Sequence, residues 1–185
     1  MMGAVLGFFA SSWFGWALDD PPARWRKGLV AGCVVSLATA VTGALLAARH
    51  WSDGSVFDAA TSRTFGIVVG IEVALAALGA WLLSRRRRSE LVSAYISLVV
   101  GVHFFALAPL LQNPLLYVVA VVMTIGAVAS IPIARGRSIS VSSVAGVLAG
   151  STLLAAAIFA LVAVVSGYSD LTRPFCEDYV GPRPT

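Results

Sequence analysis

Long apolar runs alternate with short polar segments along this chain. A window of about 20 apolar residues, the length that crosses a bilayer as a helix, selects six segments. These segments are residues 1–18, 28–48, 65–84, 91–111, 114–134 and 141–167. The pattern predicts an all-α polytopic transmembrane bundle of six helices. One domain would cover residues 1–170, and residues 171–185 would form a short external tail.

Polar residues and prolines mark the boundaries between these segments. Two aspartates and two prolines at 19–22 end the first segment, and four arginines at 85–88 follow the third. Asn113 and Pro114 precede the fifth, with Asn as the N-cap and Pro at the first helical position. The boundaries indicate tight connections between neighbouring helices.

The orientation follows from the basic residues, because cytoplasmic loops are enriched in Lys and Arg. The first, third and fifth loops contain Arg24, Arg26, Lys27, Arg85, Arg86, Arg87, Arg88, Arg135 and Arg137. The opposite side contains Arg49, Arg63, Arg173 and Arg183. This excess predicts cytoplasmic odd loops and extracytoplasmic termini.

The first segment could instead be a cleaved signal peptide, with residues 15–17 as the cleavage site. It has no basic region before its apolar run. Cleavage would also place Arg24, Arg26 and Lys27 outside, against the charge rule. We therefore expect a retained helix.

Composition supports a membrane location and argues against a nucleic-acid partner. The chain is 58% hydrophobic and 12% charged, with a mean hydropathy of +0.88, whereas soluble domains carry about 25% charged residues. The net charge of +4 comes from basic residues at the ends of apolar segments, so the lipid bilayer is the expected partner. Arg outnumbers Lys, and Ala, Gly and Val are abundant, which suggests a bacterial source and a plasma-membrane location.

Small residues recur at four-residue spacing and predict close helix packing. The seams comprise Gly3, Gly7, Ser11 and Gly15; Gly28, Gly32, Ser36, Ala40, Ala44 and Ala48; Gly66, Gly70 and Ala74; and Ser142, Gly146 and Gly150. They could pack within the chain, or one of them could dock a partner or a second copy.

Two ionisable residues, Glu72 and His103, lie well inside predicted spans. Glu72 would lie about 10 Å below the outer surface and His103 about 18 Å above the inner one, at 1.5 Å per residue. In a core of about 30 Å these levels nearly coincide. An antiparallel hairpin would therefore allow the two side chains to touch.

Such a pair could bind a proton or a ligand, because intramembrane ionisable residues favour function. Histidine titrates near neutral pH; a nearby carboxylate favours its protonated form, and burial opposes it. The surrounding site could be lined by Tyr95, Ser97, Thr124 or Ser151. The alternative is a static hydrogen bond between the helices, with Glu72 protonated.

Other chemistry has little support in the sequence. Two ligands are too few for a closed zinc site, and His50 lies at a different depth from His103. We find no catalytic triad, phosphate-binding glycine loop, CxxC or HExxH motif, so we expect no metal and no cofactor. The loops are too short for a separate catalytic domain, which makes an enzyme the third-ranked class.

Residues 101–108, Gly-Val-His-Phe-Phe-Ala-Leu-Ala, and residues 113–118, Asn-Pro-Leu-Leu-Tyr-Val, carry a resemblance. They resemble a family of small bacterial six-span membrane proteins with no known activity. The resemblance covers about a third of the chain, from the third to the fifth span, and implies a bacterial six-span protein with His103 central to its pattern.

Size and span number also resemble the substrate-binding subunits of energy-coupling-factor vitamin transporters. Those subunits usually keep both termini in the cytoplasm, opposite to the arrangement predicted here, and no motif matches their coupling surface. The first functional hypothesis is transport or binding of a small solute, with Glu72 and His103 as a proton-sensitive pair. The second is a non-transporting assembly protein that uses the small-residue seams, including self-association as a homo-oligomer. A vitamin-transporter-like subunit ranks after these.

Overall fold

The computed structural model describes residues 2–49 and 59–166. These residues form six α-helices and two short 3-10 turns, and the described ranges contain no strand. The helices are α1 (Met2–Ala17), α2 (Arg26–Arg49), α3 (Ala59–Arg85), α4 (Val92–Leu110), α5 (Leu115–Arg137) and α6 (Val141–Val165), and the turns are Ala23–Trp25 and Ser89–Leu91. The all-helical fold predicted from the apolar runs is therefore confirmed. The predicted tail, residues 171–185, lies outside the described residues, as do His50, Arg173 and Arg183.

Five of these helices, α2 to α6, are long and apolar enough to cross a membrane. Helix α1 has 16 residues, which corresponds to about 24 Å against a hydrocarbon core of about 30 Å. By length the structure thus gives five membrane spans where the apolar pattern predicts six.

The short helix α1 nevertheless packs closely within the bundle, between α2 and α6. Its buried residues include Leu6, Ala10 and Trp13. Gly3 lies against Leu161 near the end of α6, and the Trp13 carbonyl lies against Gly146 near its start. Helix α1 therefore runs antiparallel to α6 along most of the length of that helix.

From α6 the bundle continues outward through α5, α4 and α3, which is the reverse of their order in the chain. Helix α5 packs on α6, α4 packs on α5, and α3 packs on α4 at the edge of the bundle. The outer side of α3 exposes large apolar residues such as Ile67, Ile71 and Val73. An apolar outer surface is expected where lipid replaces water as the solvent.

The connections after α1, α3 and α5 meet at one end of the bundle. The Ser140 hydroxyl donates to the Asp20 carbonyl at 2.9 Å, and the Ser143 hydroxyl donates to the carbonyls of Ala17 at 3.0 Å and Asp20 at 3.1 Å. These bonds join the end of α1 to the start of α6. At the opposite end, the Asn113 side chain accepts from the Leu115 amide at 3.0 Å, as expected of a cap.

Three of the four predicted small-residue seams lie in part between helices of this chain. In the third seam, Gly66 and Gly70 have no heavy atom of the described residues within 4 Å of their Cβ positions, and Gly15 of the first seam is open in the same way. A Cβ atom on Gly7 would lie 2.8 Å from the Ala40 nitrogen and 2.9 Å from the Ser36 carbonyl oxygen, so the backbones of α1 and α2 are in close contact. Gly32 and Gly150 both face the Phe14 ring, with a Cβ position 3.1 Å from it.

The seam on α2 departs from prediction at both ends. Gly28 has no heavy atom within 4 Å of its Cβ position, and Ala44 and Ala48 are exposed. Gly43 contacts α1 instead, with its Cβ position 2.6 Å from the Ala4 nitrogen. Four residues turn a helix by about 400°, so a strict four-residue seam drifts about 40° per step away from a straight neighbour.

Candidate functional site

One face of α3 carries Glu72 to the helix that follows it. Phe65, Glu72 and Gly79 are spaced by seven residues, which returns a helix to nearly the same side after two turns. Phe65 is partly buried against the main core, and Gly79 is buried. Glu72, between them, therefore points toward α4 and away from the exposed apolar side of α3.

The partner of Glu72 is His103 on α4. The His103 Nε2 atom lies 3.3 Å from the Glu72 Oε2 atom. The His103 side chain is 8% exposed and the Glu72 side chain 17% exposed. The structure thus brings together the two ionisable residues that the sequence places at one level.

The hairpin geometry explains this contact. Glu72 lies 13 residues before the end of α3 at Arg85, and His103 lies 11 residues after the start of α4 at Val92. These separations correspond to about 20 Å and about 17 Å along the two helix axes. Antiparallel helices joined by a short turn place such positions opposite each other.

A carboxyl and an imidazole at this distance can hold one proton between them. With one proton the pair has no net charge, either as two neutral groups or as an ion pair. A second proton would leave a net positive charge in an apolar region, and loss of the proton a net negative one, and both are costly there. The pair therefore favours the state with one proton, which either the carboxyl or the imidazole can carry.

Tyr95, predicted to line the site, makes a separate contact between the same helices. Its hydroxyl donates to the Leu75 carbonyl at 3.0 Å. Its ring occupies the space beside Gly79, where a Cβ atom would collide with it. Tyr95 is eight residues before His103, about 12 Å away along α4, so it fastens the hairpin near its turn.

Ser97 lies on a different side of α4 from His103, and Thr124 of α5 contacts α4 away from His103. Ser97 precedes His103 by six residues, a rotation of about 120° around the axis, and it is 2% exposed. The Thr124 hydroxyl oxygen lies 2.8 Å from the Cβ position of Gly101, which is turned about 160° from His103. Both residues therefore face the α4–α5 side of the bundle. Ser151 is exposed. The predicted lining is not gathered around the pair.

Two glycines position these side chains and were not singled out from the sequence. Gly79 makes room for the Tyr95 ring, and Gly101 lets the Thr124 backbone approach, with its nitrogen 2.9 Å from the Cβ position. A signal was available for the first, because Gly79 is seven residues after Glu72. No signal was available for Gly101, because the sequence of α5 does not indicate which of its residues packs against that glycine.

Two cavities of the bundle lie away from the pair. One of about 480 Å³ is bordered by Trp25, Pro132 and Arg137, and one of about 280 Å³ is bordered by Asp19 and Glu90. Neither is lined by Glu72 or His103. Within residues 2–49 and 59–166, no group of three or more His, Cys, Asp or Glu side chains could hold a metal ion.

The fold and the apolar helices define the class of the protein: a helical bundle embedded in a membrane. Comparison of the chain with protein-family models, curated proteins and solved structures finds no match. The resemblance to small bacterial six-span proteins stays a prediction. The function has to be argued from the site itself.

Proposed function

We propose that this chain is a multi-pass protein of a bacterial plasma membrane that transports or binds a small solute, with Glu72 and His103 as its proton-sensitive element. The observation that carries the proposal is the 3.3 Å contact between their side chains, formed between two apolar helices. Proton relays in membrane transporters are built from such intramembrane acids and histidines.

The energetic cost of the two residues supports a functional role. A charged side chain at the centre of a span costs about 3 kcal/mol on insertion scales. A contact between hydroxyl or amide side chains could join two helices at lower cost. Two titratable groups in contact give the helix pair a property that those contacts lack, which is a proton that either side chain can carry.

The proposed topology places both termini outside the cytoplasm and the arginine-rich loops inside. The end of the bundle where the three connections after α1, α3 and α5 meet carries nine of the basic residues, four in the connections and five in the adjoining helix ends. The positive-inside rule assigns that end to the cytoplasm. We further propose that α1 is the sixth crossing. Its antiparallel packing along α6, from Gly146 to Leu161, supports this, since local thinning of the bilayer accommodates a short span.

The function is tested in proteoliposomes that contain a pH-sensitive dye. Purified protein is first screened against a panel of small solutes for thermal stabilisation at several pH values. Solutes that stabilise it are then tested for flux under an imposed pH gradient. We expect Glu72→Gln and His103→Ala to abolish the pH dependence of flux or of the ligand-induced thermal shift. Glu90→Gln, at an exposed glutamate of the α3–α4 connection, is the matched control and should behave as the wild type.

The proposal fails if both variants keep the fold and the full pH response. The topology is tested separately by single-cysteine labelling in a background that lacks Cys33 and Cys176. A cysteine at Arg87 should react with an impermeant reagent only after the membrane is opened. Labelling of Arg87→Cys in intact cells would contradict the proposed orientation.

A second candidate, an assembly protein, is favoured by the outer side of α3. Gly66, Gly70 and Ala74 form an exposed small-residue stripe on that side, and the two glycines have nothing within 4 Å of their Cβ positions. Such stripes let helices of two chains approach closely. If Gly70→Leu dissolves an oligomer while the Glu72 and His103 variants change nothing, assembly is the better account.

A further inference from the structure

A groove lies between α5, α6 and the turn before α2, at the end of the bundle where the connections after α1, α3 and α5 meet. Its volume is about 480 Å³, within the range of about 300–1000 Å³ that small-molecule sites occupy. The α5 wall includes Gly136 and Arg137, and the α6 wall consists of Val144, Val147 and Leu148. Spacings of three and four residues keep these α6 side chains on one face of the helix.

The groove is polar at its outer end and apolar farther along α6. Arg137 is exposed in the last turn of α5. Leu148 lies seven residues after Val141, the first residue of α6, which places it about 10 Å deeper along the axis. Water does not fill an apolar groove that opens to the hydrocarbon of a bilayer. An occupant with a polar head and a hydrocarbon chain therefore matches the groove.

The charge at the outer end favours an anion. Among the described residues, Arg137 is the one charged side chain that lines the groove, and it forms no ion pair. The carboxyl end of α5 would oppose an anion through its free carbonyls. That effect is reduced here, because the Ala134 carbonyl accepts from the Ile139 amide at 3.0 Å.

The Trp25 indole supplies a second donor. Its ring is half-buried against a core cluster that contains Phe14 and Leu29, so packing holds it in place beside the groove. Its ring N–H has no acceptor in the part of the chain that the structure describes. Tryptophan at a membrane interface commonly has its apolar body in hydrocarbon and its N–H at the headgroup level.

We propose that this groove binds an anionic phospholipid. The lipid phosphate accepts hydrogen bonds from the Arg137 guanidinium and the Trp25 indole. One acyl chain lies along Val144, Val147 and Leu148. Basic pockets between membrane helices bind anionic headgroups in this way. A free phosphate shares the headgroup chemistry but would leave the apolar wall uncovered, so the lipid is the occupant that fits the whole groove.

The test titrates phosphatidylglycerol into delipidated protein in detergent, and native mass spectrometry gives the Kd of the first bound lipid. Phosphatidylcholine with the same acyl chains and soluble glycerophosphate are the comparison ligands. We expect phosphatidylcholine to bind about fivefold more weakly or worse, because it lacks the net negative charge. Glycerophosphate, which has no acyl chain, should not compete. The site is separate from Glu72 and His103, so the result does not depend on transport.

Two arginines of α5 separate a specific site from general attraction to an anionic surface. Arg137→Gln should raise the Kd for phosphatidylglycerol about fivefold, the factor expected when one basic contact to an anionic lipid is lost. Arg135→Gln is the matched control. It removes the same charge from the same helix end, and Arg135 does not line the groove and is turned about 160° from Arg137. Its Kd should match that of the wild type.

Two glycines test the groove without a change in charge. Gly136 has no heavy atom within 4 Å of its Cβ position among the described residues, so Gly136→Phe can fill the groove without meeting the backbone of another helix. It should weaken phosphatidylglycerol binding as much as Arg137→Gln does. Gly28→Phe is the control, because Gly28 is equally open and does not line the groove; its Kd should match that of the wild type.

Four results would overturn the proposal. They are equal affinity for phosphatidylcholine and phosphatidylglycerol, competition by glycerophosphate, equal losses in Arg135→Gln and Arg137→Gln, and unchanged binding in both Arg137→Gln and Gly136→Phe. Binding is compared only among variants with the wild-type circular dichroism spectrum. If Gly136→Phe does not fold, the two arginine variants decide.

Discussion

The contact between Glu72 and His103 should appear as a measurable coupling energy. The perturbation is a double-mutant cycle with Glu72→Ala, His103→Ala and the variant that carries both. Each single change removes one partner and leaves the other in an apolar region, where an isolated ionised group costs about 3 kcal/mol. The double variant leaves neither group behind and should therefore lose less stability than the sum of the two.

The 3.3 Å separation sets the size of the expected coupling. Two full charges at that distance attract by about 5 kcal/mol at an effective dielectric constant near 20, before desolvation is counted. Polar contacts between membrane helices measure about 0.6 kcal/mol on average and reach about 1.7. Because two neutral groups avoid the desolvation cost of charge, we predict a coupling of about 1 kcal/mol.

The assay is reversible unfolding of purified protein in mixed micelles, followed by circular dichroism. A control cycle between Glu90 and His103 should show coupling below about 0.5 kcal/mol, as expected for residues without shared partners. A coupling above about 3 kcal/mol would mean that the two groups are charged in the folded protein. A Glu72–His103 coupling no larger than that of the control cycle would falsify the assignment of the pair as an interacting unit.

Three further predictions concern helix packing and use the same unfolding assay. Gly7→Ala should lower the free energy of unfolding by about 1–3 kcal/mol, because the added Cβ meets the α2 backbone. Gly28→Ala, which has open space among the described residues, should not lower it. Equal stabilities of the two variants would contradict the close packing at Gly7. Tyr95→Phe removes the hydrogen bond to the Leu75 carbonyl and should cost about 0.6–1.7 kcal/mol; an unchanged unfolding free energy would show that the hydroxyl makes no contribution. Ser143→Ala removes two hydrogen bonds between α6 and the end of α1 and should cost about 1–2 kcal/mol, an expectation that wild-type stability would contradict.

The relative height of Glu72 and His103 along the α3–α4 pair could be predicted from the sequence. Apolar runs and their charged ends locate the helices, and a hairpin fixes which positions face each other in height. That reasoning places Glu72 opposite His103, where the structure finds them. It depends only on helical rise and on a short connection.

Rotation about the helix axes and the order of packing could not be predicted in the same way. Ser97 and Thr124 have suitable heights, yet they turn to the α4–α5 side, because rotation depends on which neighbours are present. The place of α1 between α2 and α6 depends on contacts with α6, more than 120 positions later in the chain. Sequence spacing carries no information on a contact of that kind. The strict four-residue seam on α2 fails for a related reason, since it ignores the drift that makes Gly43 the contact residue.

Helix α3 is attached to the rest of the bundle mainly through α4, and the polar contacts that join it there include one at Glu72 and one at Tyr95. The Tyr95 contact lies near the turn between α3 and α4, and the Glu72 contact lies farther from that turn along α3. Removing either contact should therefore loosen α3 and leave the packing among α1, α2 and α6 in place. Glu72 thus lies on the helix that, among the described residues, has a single closely packed helical neighbour.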